Sequence, residues 1–408
     1  MVVADNIKNY RFYTDSKGHL LSGHEWEEYD ATHEKPTGGK LPDGWPEKLE
    51  GPLVWRGQEL QKTPEKYLYI LDEDDKLELA GAIEKFEASD AADNLQEINK
   101  ETFPLPNLGT KLELFSTELY EGIGVKLVRG FPLDEYNERQ RIIGYLGISS
   151  YVGDLRDAQG INRALIHIKS IAHVPKEDRA PIAVSQQTTD PQMFHNDAGL
   201  DIVSLFVLDV PKSGGESLIT STYTIYNDLA QTRPDIISLL ADPNEFEFAS
   251  KSKEGGNMIQ YQQGKLFSHF STRVFIGFGD IPRDERFPPL NEKQKEAFGA
   301  FNWIGYRNTL TLPIQKGDIE YLNNLHLQHS RLGYEEDAEH RRHVARLWLR
   351  NSKYSTEIEY PKPLQAKIDQ GFFPAKYHQE IPLNVQEEED LKKKYKITSL
   401  AELYAKPR

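Results

Sequence analysis

From about residue 155 onward the chain keeps returning to short apolar runs bounded by turn residues, and this narrows its fold more than any other feature. LDIVSLFVLDV (200–210) is a long run rich in β-branched and aromatic residues, ESLITST, RVFIGF and TLTLPIQ are shorter ones, and HVARLWLR (343–350) alternates with period two. Such residues suit the pleated surface of a strand, where alternate side chains share a face. YTIYNDLAQT with DIISLLAD, and NEKQKEAFGAFNWIG with Asn291 as cap, predict helices between strands. Many strands with a few inserted helices predict a mostly β chain, a sandwich or barrel-like core with helices packed outside.

The flanks differ from this core. Residues 1–60 mix Gly, Pro, His, Asp and aromatics without a sustained period, and Trp26, Trp45 and Trp55 are costly to leave wet, so an irregular wrapping extension is expected. DDKLELAGAIEKFEAS predicts the first helix, with Asp75 as N-cap, Glu78 closing a capping box, and Leu79, Ile83 and Phe86 on one face. Val125 and Leu127 read as a strand leaving a tight turn. Residues 356–408 are charged (QEEEDLKKKYK) and predict a tail with a short helix packing on the core. Residues 61–355 are then left as a single domain.

Composition excludes several chemistries. There is no cysteine, hence no disulfide framework, thiolate zinc site, iron–sulfur cluster or cysteine nucleophile. The formal charge of −15 disfavours a generic grip on nucleic acid. No apolar run is long enough for a membrane span, and the N-terminus turns polar too early for a signal peptide, so a cytoplasmic protein without a membrane partner is expected. Walker, GxSxG and HExxH patterns are absent.

The residues that carry chemistry begin at Phe194-His195-Asn196-Asp197. On a strand, His195 and Asp197 share a face. Alone, the pair is a weak signal, and an exposed loop pair is the bland reading. After it come a buried-looking strand, the turn sequence Gly214-Gly215-Glu216-Ser217, and GDIEYLNNLHLQHSR with His326 and His329 at a strand end. Two histidines and a carboxylate with open positions suit non-haem iron(II) and its oxygen chemistry. Arg342 follows on the next strand, a guanidinium suited to a bidentate hold on a carboxylate.

In this order GVKLVRG, FHND, GGES, LNNLHLQHSR and RRHVARLWLR resemble the taurine dioxygenase-like branch of the iron(II)/2-oxoglutarate oxygenases, its fungal-type members in particular, over about residues 100–355. The resemblance implies a double-stranded β-helix, or jelly roll, flanked by helices. It implies His195, Asp197 and His329 as iron ligands, with 2-oxoglutarate and O2 as cosubstrates. Arg342 is then expected on the distal carboxylate of 2-oxoglutarate, assisted by the Ser217 hydroxyl, where the family more often has Thr. Asn196 replaces a more usual Thr between the ligands and is expected to point away from the metal.

Arg346 shares a strand face with Arg342, and the matching residue of taurine dioxygenase holds the sulfonate. Here it is a candidate for a second clamp on 2-oxoglutarate or for substrate contact. His343 and His167 are further candidates for the substrate pocket, although His343 follows the clamp Arg342 and is expected to face away, and His173 is weighed beside them. His326 is expected to pack, Asn323 and Asn324 to brace the distal histidine, and Gly214 and Gly215 to permit a turn.

The implied reaction is oxidation of an unactivated C–H bond of a small, anionic or amino-acid-like metabolite, with release of succinate and CO2, by hydroxylation, desaturation or ring closure. No separate acid/base residue is implied, and Asp197 argues against halogenation. The alternatives are a sulfonate-cleaving dioxygenase, mildly disfavoured by Pro191, a metal-free binding or regulatory barrel, and a different metal enzyme on a jelly roll, against which Arg342 speaks. Self-association is common in the family, which leaves room for a homo-oligomer.

Overall fold

The computed structural model describes residues 11–14, 20–32, 39–160, 162–171, 185–197, 199–246, 257–277, 288–372 and 378–397. His173, Phe278 of the RVFIGF run and the last stretch of the charged tail lie outside them. The elements that build and surround the site are, in chain order, α1 (Gly23–Thr32), β1 (Leu68–Ile70), α2 (Glu73–Glu87), α3 (Leu108–Glu121), β2 (Val125–Arg129) and α4 (Glu138–Val152). Then come β3 (Leu155–Arg156), β4 (Leu165–Lys169), β5 (Gln192–His195), β6 (Ile202–Asp209), β7 (Ser217–Ser221), α5 (Thr222–Thr232), α6 (Pro234–Ala241) and α7 (Glu292–Arg307). The chain continues through β8 (Leu310–Leu312), β9 (Ile319–Asn323), β10 (Leu327–Arg331), β11 (His343–Arg350), α8 (Lys362–Gly371) and α9 (Val385–Lys394).

Two sheets form the centre. A seven-stranded sheet runs β1-β2-β9-β6-β11-β3, with β4 also paired to β11. Only β1 and β2 are parallel in it; the other pairs are antiparallel. A four-stranded antiparallel sheet runs β8-β7-β10-β5. The sheets face each other across a shared core, in which Leu127, Val203 and Leu322 of the large sheet meet Ile219, Leu310, Leu312 and Leu327 of the small one. The other face of the large sheet, with Phe206, Tyr321, Ala345 and Leu347, is covered by α2, α3 and α4 through Ile83, Phe86, Leu112 and Leu146. Each fully buried Leu, Ile or Phe contributes roughly 1.5–3 kcal/mol, so β11 is held from both sides.

Among the described residues helix outweighs strand, which corrects the expected mostly β chain to a mixed one. The difference lies chiefly in α3 and α4. From Ile142 to Val152 α4 is buried at every position, and a helix buried all round has no polar stripe to reveal its period.

Two local expectations change as well. The cap of α2 is Asp72, which accepts from Asp75 N at 2.8 Å, while the Asp75 side chain reaches back to Asp72 N. The capping box is thus Asp72 with Asp75, one turn before Asp75 with Glu78. RVFIGF is not a strand over its first residues: Arg273–Ile276 is a helical turn, with Phe275 packed edge-on to Phe246 and Phe298. That aromatic packing overrides β propensity.

The flanks pack on this frame. Trp26 and Trp55 are buried, and Trp55 Nε1 donates to the Ile123 carbonyl at 3.0 Å. Helix α9 is anchored by Glu388, buried in an ion pair with Arg163 and accepting from His167 N at 2.7 Å. No helix among the described residues is long and apolar enough to cross a membrane.

Candidate active site

Strand β5 ends at His195, and β10 lays His329 directly opposite it, with the two rings 4.2 Å apart. Asp197 lies just beyond the strand, so strand alternation alone does not hold it in place. Asn324 does: its Oδ1 accepts from Asp197 N at 2.8 Å, and its Nδ2 donates to the Asp197 carbonyl at 2.7 Å. Asn196 points the other way, into the core. Its amide donates to the carbonyls of Asn324 (2.7 Å) and Leu327 (2.8 Å), and its Oδ1 accepts from Phe270 N (3.0 Å) and Gln328 (2.6 Å). The residue between the two site residues is therefore a rivet for both strands.

The potential ligand atoms of His195, Asp197 and His329 all lie within 4.8 Å of one another. Nδ1 of His195 donates to the Met193 carbonyl (2.9 Å), which selects the tautomer with its lone pair on Nε2, and Nε2 lies 3.8 Å from Asp197 Oδ1. The far oxygen of Asp197 is held from behind: Arg346 Nη1 donates to Oδ2 at 2.9 Å and Trp348 Nε1 at 2.8 Å. Two imidazoles and one carboxylate braced by outer hydrogen bonds form the donor set that non-haem iron(II) takes, so the residues fit that ion.

These groups open onto a cavity of about 420 Å³ between the sheets. Its wall on the large sheet has an apolar part, Ile168, Leu205, Val207 and Val344, beside the charged Asp209, Glu320 and Arg346, and Lys212, Ser213 and Gly214 are exposed at its rim. Gly214 has φ +76°, and a Cβ there would come within 2.3 Å of the Gly333 carbonyl oxygen, so the turn requires glycine.

Arg342 and Ser217 also line the cavity. The Arg342 guanidinium lies 5.9 Å from the centre of the Tyr334 ring, and desolvation lowers its pKa from the usual arginine value. Ser217 Oγ donates to Oε1 of Glu320 at 2.9 Å. Glu320 is only 2% exposed, and burial pushes its carboxyl up to about 7, against the opposing pull of Ser217 and Arg342.

The structure brings six of the expected site residues, His195, Asp197, Ser217, His329, Arg342 and Arg346, to one cavity and places His167 and His343 elsewhere. Arg346 shares the pocket face, but its Nη1 is committed to Asp197 and its Nε to Gln159 Oε1 (3.0 Å). It thus braces the candidate ligand carboxylate while also lining the cavity. His343 and His167 are not in the cavity: His167 Nδ1 lies 2.9 Å from His343 Nε2, and His167 Nε2 lies 3.0 Å from the Pro382 carbonyl. His167 is paired in register with Ala345, whose face is the helix-covered one, and period two sends it away from the pocket. This corrects both as substrate-lining candidates. His326 is buried, with Nδ1 2.8 Å from the Leu266 carbonyl, and burial lowers its pKa to about 4. Asn323 braces the same turn through the Leu119 carbonyl (2.9 Å) and Leu325 N (3.0 Å).

Sequence reasoning missed Glu320, Gln159 and Trp348. Glu320 had a signal: it is the one charged residue in IEYLN, a strand buried throughout. Gln159 had none, because its role depends on a contact made across the fold.

Comparison with known proteins agrees with this geometry. Residues 90–348 match the family described as taurine catabolism dioxygenase TauD, TfdA family. A taurine hydroxylase-like protein, SAT17, of Stachybotrys chartarum is 31% identical over 336 residues, covering 80% of this chain and 85% of that protein. FR-33289 synthase of Streptomyces rubellomurinus is 24% identical over 315 residues, 74% of this chain and 90% of the relative. Among solved structures, asparagine oxygenase in complex with Fe(II), 2S,3S-3-hydroxyasparagine and succinate superposes with a TM-score of 0.53 at 13% identity, covering 72% of this chain and 97% of that one. The non-heme iron oxygenase OrfP in complex with Fe and alpha-ketoglutaric acid superposes with a TM-score of 0.50 at 14% identity, with 72% and 97% covered. The chain belongs to the taurine catabolism dioxygenase TauD, TfdA family, whose members are iron(II)- and 2-oxoglutarate-dependent oxygenases.

Proposed function

We propose that this oxygenase oxidises an unactivated C–H bond of a small, amino-acid-like or anionic metabolite, releasing succinate and CO2, and that His195, Asp197 and His329 hold the iron. The observation that carries the reading is the convergence of these three residues in one cavity with Arg342 and Ser217. We take the two facing sheets as the jelly roll of the family and residues 61–355 as its single catalytic domain.

Iron(II) bound at the three ligands supplies, with 2-oxoglutarate and O2, the oxidant that removes hydrogen from the substrate. The chain's own residues do the rest. Arg346 and Trp348 hold Oδ2 of Asp197 and so present Oδ1 to the ion. Arg342 gives a guanidinium for the distal carboxylate of 2-oxoglutarate, and Ser217 a hydroxyl beside it. The apolar wall of Leu205, Val207 and Val344 keeps water from the reacting atoms. No side chain is needed as a separate acid or base.

Substrate size and charge follow from the cavity. About 420 Å³ has to hold 2-oxoglutarate and substrate together, which limits the substrate to a small molecule. The lining carries both signs, with Lys212 and Arg331 against Asp209 and Glu216, which suits a zwitterion. Two proteins of the same fold are described with amino-acid ligands, hydroxyasparagine and (3S)-hydroxy-L-Arg. Sulfonate cleavage is less well supported, because Arg346, the residue that would grip a sulfonate, is engaged with Asp197 and Gln159. A panel of amino acids, small carboxylates and sulfonates, assayed for succinate above the uncoupled rate, tests this. An amino acid is expected to stimulate most; stimulation by sulfonates alone, with sulfite release, would overturn it.

A further inference from the structure

Glu320 places a carboxyl group where its strand has no structural need of one. Its neighbours Ile319, Tyr321 and Leu322 are buried and pack into the two cores beside the large sheet. The register partners of Glu320 on the adjoining strands are Leu127 and Leu205, neither of them charged. Its side chain faces the cavity and accepts the Ser217 hydroxyl hydrogen at 2.9 Å. Of the charged groups near it, Arg342 and Asp318 act on it, and Asp318 is itself paired to Arg129 at 2.8 Å. Asp209, Glu216, Lys212, Arg331 and Arg346 line the same cavity; Lys212 is exposed at its rim, Arg331 donates to the Thr188 and Asp190 carbonyls, and Arg346 donates to Asp197.

We infer that Glu320 binds a proton when the distal carboxylate of 2-oxoglutarate enters between Arg342 and Ser217, so that cosubstrate binding is proton-linked and weakens as pH rises above neutrality. The inference rests on the proposed place of 2-oxoglutarate at Arg342 and Ser217. Arg342 is the cation that acts on Glu320, and one guanidinium balances one carboxylate. With Glu320 ionised, the same enclosed space would hold two carboxylates against Arg342, and like charges in a desolvated site drive one of them to its neutral form. Ser217 sharpens the requirement. Its single hydrogen is given to Glu320, and the cosubstrate would need that hydrogen. A protonated Glu320 donates instead of accepting, which releases the Ser217 hydrogen to the incoming carboxylate. The balance is one proton taken from solvent per cosubstrate bound, with no other bond made or broken.

The sign follows from the carboxyl's starting point. Burial already holds it up to about 7, and a second carboxylate bound beside it would raise it further. Below that value Glu320 is already protonated and binding takes up nothing. Above it, each bound cosubstrate takes up about one proton and affinity falls about tenfold per pH unit.

The test is calorimetric titration of the anaerobic Fe(II)-loaded protein with 2-oxoglutarate, in two buffers of different ionisation enthalpy, about one pH unit below and above neutrality. Uptake of about one proton is expected above neutrality and much less below it. Glu320→Gln should bind without this uptake and lose the fall in affinity with pH. No proton uptake by the wild-type protein, or the wild-type pH dependence in Glu320→Gln, would overturn the inference. The wild-type proton count stands even where the variant fails to fold. Arg342→Gln separates the layers. Lost affinity there, with an unchanged pH dependence in Glu320→Gln, leaves the pocket assignment standing and removes the proton linkage alone. Unchanged affinity in Arg342→Gln removes both.

Discussion

Arg346 Nη1 lies 2.9 Å from Oδ2 of Asp197, so the strand that begins directly after the expected cosubstrate arginine, Arg342, also fixes a candidate metal ligand. Period two aligns Arg346 and Trp348 on the cavity side of β11, and both donate to the same carboxylate oxygen. The guanidinium also lies 4.7 Å from the centre of the Trp348 ring, which keeps the two donors together.

Arg346→Ala should therefore weaken metal binding. Loss of an outer partner of a ligand costs about 10–100-fold in metal affinity. Titration with Fe(II) under nitrogen, followed by 2-oxoglutarate titration at saturating metal, separates the effects. Normal metal affinity with weakened 2-oxoglutarate binding would return Arg346 to the role of a second clamp.

Ser217→Ala removes one hydrogen bond from the cosubstrate end of the cavity. KM for 2-oxoglutarate should rise about tenfold, the worth of one hydrogen bond to a charged group, with kcat little changed. Ser217→Thr keeps the hydroxyl and should restore KM. A fall in kcat with normal KM would place Ser217 elsewhere in the reaction.

Behind the cavity, His343 of β11 and Glu388 of α9 predict different phenotypes. His343 faces away from the cavity toward His167, so His343→Gln should leave KM for 2-oxoglutarate within about twofold of wild type. Glu388→Ala breaks the buried pair with Arg163 that docks α9 and should destabilise the fold by about 3–5 kcal/mol in urea denaturation. A large change in KM for His343→Gln would put that residue back in the pocket.

What was legible in the sequence, and what was not, follows the same division. β6 announces itself because a strand buried on both faces is an apolar run, β11 by its period-two alternation, and Asn291 announces α7 because a capping box is local. That His195, Asp197, His329, Arg342 and Ser217 meet in one cavity was readable from their order and spacing together with the family resemblance. The commitment of Arg346 to Asp197 was not, because the two residues meet only when the sheets close. The helix α4 was hidden by its own burial, and Asp72 by a run of acidic residues in which several could serve as cap.

Acid should act partly through His326. Burial lowers its pKa from 6.5 to about 4, so the unfolded chain binds a proton that the folded chain refuses. The stability it contributes is complete above 6.5 and is lost as pH falls toward about 4. His326→Asn, compared with wild type by denaturation across that window, should show the shallower loss on acidification. Equal slopes would mean that His326 titrates normally in the fold.

The account stands or falls on whether His195, Asp197 and His329 hold an iron that turns over 2-oxoglutarate. Succinate formation measured in protein stripped with EDTA and reloaded with Fe(II), for wild type, Asp197→Ala and His329→Ala, tests this most directly. The prediction is succinate only when Fe(II), O2 and 2-oxoglutarate are all present, and none from either variant. Full succinate formation by the stripped wild-type protein, or by Asp197→Ala, would contradict it.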